Sequence, residues 1–152
     1  METMKITDRQ SSRRYKRDNI TSYLLVSEEA TGAKHITTSL VEMEPGGKQH
    51  IHSHETEQCY FILDGTGRMT VGDETREVLA GLSVFIPSNT PHGLQNTADG
   101  ILRYLSAGSP PFGAESELEQ WPLPPEKHRG RDNDANKAML SDAVNRAREC
   151  IR

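Results

Sequence analysis

Residues 46–65 read GGKQHIHSHETEQCYFILDG, and this stretch decides the fold. Pro45-Gly46-Gly47 is a turn signal that stops whatever precedes it. Three histidines then alternate at His50, His52 and His54. In extended backbone, alternate side chains share a face, so His52 and His54 can converge on one point. Neutral imidazole is a ligand for zinc, iron, copper and nickel alike. An isolated His-x-His is weak evidence by itself. Gln58 to Leu63 then reads as a strand, closed by the turn Asp64-Gly65.

Outward from this stretch, short strands and turns alternate. Ile20 to Ser27 and Ile36 to Met43 are rich in Val, Ile, Leu, Thr and Tyr, with Thr31-Gly32 between them. Gly67 to Val71 and Thr75 to Leu79 flank Gly72-Asp73, and Ser83 to Ile86, His92 to Asn96 and Ile101 to Ser106 follow. Even, short spacing of this kind predicts an all-β closed sandwich or barrel rather than a βαβ fold.

Spacing also carries a resemblance. From Gly46 the chain runs five residues to His52-Ser53-His54, three to Gln58 and six to Gly65; from Gly81 it runs five to Pro87-Ser88-Asn89, two to His92 and three to Asn96. These blocks resemble the two cupin motifs, G-(x)5-H-x-H-(x)3-E-(x)6-G and G-(x)5-P-x-G-(x)2-H-(x)3-N. Gln58 stands where glutamate is usual and Asn89 where glycine is commoner. Asn tolerates left-handed backbone, so the second exchange is mild. The resemblance implies a double-stranded β-helix (jelly-roll) barrel with one divalent transition metal, Zn, Fe, Mn, Ni or Cu, on His52, His54, Gln58 and His92. It also implies turns at Gly65 and Gly81, a structural role for Asn96 and a tendency to form homodimers. An amide at Gln58 offers a neutral carbonyl oxygen, leaving such a centre dipositive; its alternative role is to support a histidine or a water.

Other residues have weaker claims. Tyr60 shares the parity of Gln58 and faces the interior, as packing or as a hydrogen-bond and proton donor to substrate. His50 reads as a pocket-rim histidine. Glu57 and Cys59 have the opposite parity, Cys59 as a small buried hydrophobe. Arg68, Met69 and Arg103 have no spacing argument, and His35 and His128 read as surface.

The expected organisation is a basic arm over 1–18, solvated and rich in Arg and Lys, a barrel over 19–107, and an extension over 108–152. In the extension, Phe112, Leu118, Trp121 and Leu123 would lie on the barrel wall or a neighbouring subunit. Asp132, Asn133 and Asp134 offer caps, and Ala135, Met139, Ala143 and Ala147 space a thin helix over 134–149.

The 152 residues suffice for one core, and a net charge of -4 gives no reason to expect nucleic acid or anionic membrane as partners. No apolar run is long enough to span a bilayer. Two distant cysteines, Cys59 and Cys150, make no disulfide framework and point to a reducing cytoplasm.

The function expected is that of a metal-dependent enzyme on a small polar substrate such as a sugar or sugar acid, by isomerase, lyase or ring-opening chemistry. The alternatives are an oxygen-dependent dioxygenase on an enediol-like compound and a non-catalytic metal- or ligand-binding barrel.

Overall fold

The computed structural model of the protein describes residues 3–112. The elements run β1 (Arg13–Arg17), β2 (Ile20–Val26), α1 (Glu28–Thr31), β3 (Thr37–Met43), β4 (Glu57–Asp64), β5 (Thr66–Val71), β6 (Glu74–Leu79), β7 (Ser83–Ile86), β8 (His92–Asn96) and β9 (Leu102–Ser109). Six strands form one antiparallel sheet in the order β1-β2-β3-β9-β4-β7, and three form a second in the order β6-β5-β8. The fold is an all-β jelly roll. Its sequence signature is the alternation of β2, β4 and β9, in which every second residue is buried.

Cross-strand register sets the inner face of the large sheet in rows. One runs Tyr15, Ser22, Val41, Tyr104, Ile62; the next runs Leu24, Ser39, Ser106, Tyr60, Val84; a third holds Thr37, Gly108, Gln58 and Ile86. Met43, Ile62, Ile86, Leu94 and Leu102 are fully buried between the sheets and form the apolar end of the core. The other end is polar, and the site lies there.

Turn chemistry follows the sequence closely. Gly65 has φ +87, and a Cβ there would meet the Ile101 carbonyl oxygen at 2.7 Å, so no other residue fits. Asn89 has φ 57, the left-handed backbone for which its side chain is suited. Asn96 is buried and its Nδ2 donates to the carbonyls of Met43 at 2.9 Å and Gly100 at 2.8 Å, tying β8 to the end of β3.

Three expectations need correction. Arg13–Arg17, within the stretch read as a solvated arm, is an edge strand paired to β2, because Tyr15 alternates inward between outward basic residues. The Thr31-Gly32 turn belongs to a single helical turn, capped by the Ser27 hydroxyl accepting from the Ala30 N–H at 3.1 Å and by Gly32 at φ 80. β9 continues to Ser109, past the expected Ser106 and the boundary at 107, since Gly108 still pairs with Thr37 and Gln58. The expected helix over 134–149, with Leu118, Trp121, Leu123 and His128, lies outside the described residues. Among the described residues, no helix is long and apolar enough to cross a membrane.

Candidate metal centre

His52 and His54 do not sit in a regular strand, as their alternation had suggested. The connection between β3 and β4 runs beside β8, held by the Gln49 N–H to the Leu94 carbonyl at 2.9 Å and by a two-way bridge between His52 and His92. This bridge places the two motifs face to face. Alternation survives along it: His52 and His54 turn inward while Ile51, Ser53 and Glu55 are exposed.

The rings of His52, His54 and His92 lie 4.3 to 5.5 Å apart, centroid to centroid. Their candidate ligand nitrogens are all within 4.8 Å of one another. Ligands that share one ion at about 2.1 Å stand at most about 4.2 Å apart, so the cluster is close to the size a single ion needs.

Each ring is oriented by backbone two residues away. His52 Nδ1 donates to the His50 carbonyl, His54 Nδ1 to the Thr56 carbonyl and His92 Nδ1 to the Thr90 carbonyl, each at 2.8 Å. A carbonyl oxygen only accepts, so the proton of each neutral ring resides on Nδ1 and the Nε2 lone pair is free. Burial pushes the His92 imidazole down to about 4, and the charges of neighbouring rings act in the same direction, against the pull of the Thr90 carbonyl. Burial also lowers His52, with the His50 carbonyl opposing.

Three buried side-chain acceptors are left without a hydrogen-bond partner among the described residues: His54 Nε2, His92 Nε2 and Gln58 Oε1. Gln58 sits on β4, and its Nε2 donates to Ser106 Oγ at 3.0 Å, which turns the carbonyl oxygen away from that partner. Orphaned buried acceptors are costly and uncommon. Two imidazole nitrogens and an amide oxygen orphaned in and beside one histidine cluster are the donor set that a borderline divalent cation satisfies. The residues fit such an ion.

His52, His54 and Gln58 line a cavity of about 490 Å³ between the inner face of the large sheet and the β3–β4 connection, and His92 lies directly behind His52 and His54. Tyr60 and Tyr104 form part of its lining, with ring centroids 4.5 Å apart. Burial pushes the Tyr60 phenol up to about 12, its bonds to Gln49 and Tyr104 pulling the other way, and burial raises Tyr104 as well. Gln49 Nε2 donates to the Tyr104 oxygen at 2.8 Å and Gln49 Oε1 accepts from the Leu94 N–H at 3.0 Å.

The remaining candidates sort by position. His50 is exposed at the cavity rim. Glu57, Arg68 and His35 are exposed, Met69 is core, and Arg103 pairs with Glu42 and Asp64 on the far face of the sheet. Cys59 is half-exposed rather than buried, its Sγ 3.0 Å from Ser83 Oγ, because its parity places it on the outer face.

Gln49, Ser106 and Phe112 were not assigned to the site from sequence. Phe112 follows β9, and its ring packs edge-on to His54 at 4.9 Å; the Thr56 hydroxyl donates to the Pro110 carbonyl at 2.8 Å and holds that segment down. The inward parity of Ser106 was available as a signal. Nothing local marks Gln49 or Phe112.

Residues 39–108 match the family model described as Cupin domain. Over 85 residues the chain is 38% identical to an uncharacterized protein of Methanocaldococcus jannaschii, taking in 54% of this chain and 68% of that one. Over 87 residues it is 31% identical to the mannose-1-phosphate guanylyltransferase RfbM of Salmonella typhimurium, a match over 56% of this chain and only 18% of that enzyme. The solved polyketide cyclase RemF from Streptomyces resistomycificus aligns with a TM-score of 0.62 at 27% identity, over 79% of this chain and 95% of that one.

Proposed function

The chain belongs to the cupin family, and on that premise we propose that it is a metal-dependent enzyme acting on a small polar substrate such as a sugar or sugar acid. The observation that carries this is the set of orphaned acceptors, His54 Nε2, His92 Nε2 and Gln58 Oε1, clustered with His52 at the wall of a cavity large enough for one small molecule. His52, His54, Gln58 and His92 hold the ion. When bound, a divalent transition metal supplies Lewis acidity toward a carbonyl or hydroxyl oxygen.

The chain's own groups do the rest. Burial favours the neutral form of His52 and His92, and all three rings, held with a proton at Nδ1, turn their Nε2 lone pairs toward the proposed ion. Gln58 contributes no charge, so the site stays electropositive and favours an electron-rich substrate oxygen. Tyr60 remains a phenol at neutral pH and acts as a hydrogen-bond donor within the cavity. Phe112 shields the His54 edge from water. Isomerase, lyase and ring-opening chemistry all need such a polarised oxygen beside a held proton donor.

The relatives support this reading in part, since their names include enzymes of sugar-phosphate and polyketide chemistry. Two finer readings accompany it. Phe61 and Phe85, 41% and 60% exposed on the outer face, suit a homodimer interface. The half-exposed Cys59 thiol suits a reducing, cytoplasmic setting.

The test is metal analysis of protein purified without a chelating tag, then a screen of uronates, sugars and enediols with oxygen uptake followed. One equivalent of metal and turnover without oxygen use is the expected result. Stoichiometric oxygen consumption would assign dioxygenase chemistry instead, and absence of both metal and turnover would leave a binding barrel.

A further inference from the structure

Across the inner face of the large sheet, the polar groups differ in how they are matched. Near β4 and β9 they are paired: Ser106 Oγ accepts from Gln58, and the Tyr104 oxygen accepts from Gln49. Farther across lie Ser22 on β2, opposite Tyr15 and Val41, and Ser39 on β3, opposite Leu24 and Ser106. Both line the cavity. Ser22 is only 4% exposed, yet among the described residues neither hydroxyl has a hydrogen-bond partner. Neither oxygen is among the sealed, partnerless atoms of the interior, so both hydroxyls open onto the cavity, where a ligand can pair them.

Two observations narrow what such hydroxyls are for. Each can donate and accept in any direction its rotor allows, which matches the hydroxyls of a ligand rather than a fixed charge. The cationic side chains of the lining, Arg17 and Lys48, are not buried, so no buried cation stands beside Ser22 or Ser39 to hold an anion. From Gln58 to Ser39 the sheet spans two strand intervals and one two-residue step, about 12 Å, a distance one small molecule bridges.

We propose that Ser22 and Ser39 form a second subsite of the cavity, binding the hydroxyl-rich, uncharged part of a polyhydroxylated substrate whose other end lies at the histidine cluster. This rests on the metal-dependent reading above and adds the residues that select the hydroxylated part of the substrate. Ser22 lies on a strand outside residues 39–108, so the family match does not contain this subsite whole.

The experiment titrates zinc-reconstituted full chain with D-glucuronate, D-glucose and D-glucitol, and with hexanoate as a carboxylate lacking hydroxyls, followed by calorimetry and amide chemical shifts. Hydroxylated probes are expected to bind, shifting the Ser22 and Ser39 amides. Ser22→Ala and Ser39→Ala should each weaken them by about tenfold while zinc stoichiometry and thermal midpoint hold. Unchanged affinity in both variants, or hexanoate binding as well as glucuronate, would overturn the subsite. Zinc bound normally with alanine-insensitive titrations removes the subsite and leaves the metal reading standing. Alanine-sensitive binding by protein that takes up no zinc removes the metal reading and leaves the subsite.

Discussion

His52, His54 and His92 each rely on a backbone carbonyl two residues away, so ring orientation is set by local chain path. Removing one ring therefore removes a ligand without loosening the other two. His52→Ala and His92→Ala should each lose most bound metal while remaining folded, as read by elemental analysis and circular dichroism. Full retention in both variants would refute the assignment. Gln58→Glu should keep the ion, because the carboxylate retains an oxygen ligand, and should change turnover, because it adds negative charge at the centre. Loss of metal in that variant would count against the Gln58 carbonyl as a ligand. Tyr60 has a pH consequence. Its folded-state value, about 12, lies above the ordinary 10, so its contribution to stability is complete below pH 10 and is lost as pH rises through 12. Urea midpoints measured between pH 9 and 12 should fall, and fall less in Tyr60→Phe. An equal slope in both proteins would assign the loss elsewhere.

Strands and turns were legible because they obey local rules. Asp64-Gly65 and Gly72-Asp73 mark hairpins by composition, and the parity of Gln58, Tyr60 and Ile62 follows from a strand's period of two. The four proposed ligands were legible only through motif spacing, since convergence of His92 on His52 depends on a long-range bridge. What escaped was decided by tertiary pairing. β1 reads as a charged arm because its outward residues are Arg14 and Lys16, and one inward residue, Tyr15, carries its burial. Phe112 reads as tail because nothing local says that Thr56 anchors the Pro110 carbonyl. If Tyr15 seats β1, Tyr15→Ala should cost about 3 kcal/mol in chemical denaturation. A cost below about 1 kcal/mol would mean that β1 adds little to the barrel.

At the scale of the molecule, the two faces of the large sheet do different jobs. The inner face carries the cavity; the outer face presents Phe61, Leu63 and Phe85 to solvent. Exposed apolar groups gathered on one face fit the homodimer interface proposed above. Phe85→Asp should shift a dimer to monomer in analytical ultracentrifugation without altering metal content. An unchanged sedimentation coefficient, whether dimeric or monomeric in both proteins, would remove this face from consideration.

Strand order has a consequence for how the protein is made. β9 lies between β3 and β4, and it is the last strand described. Until it is synthesised, β3 and β4 each present a raw edge, and Gln58 lacks Ser106 to turn its amide. A growing polypeptide on the ribosome can therefore own all four proposed ligands and still have no finished pocket. A chain cut before β9 should therefore leave β3 and β4 with open edges prone to aggregation and fail to hold the proposed ion.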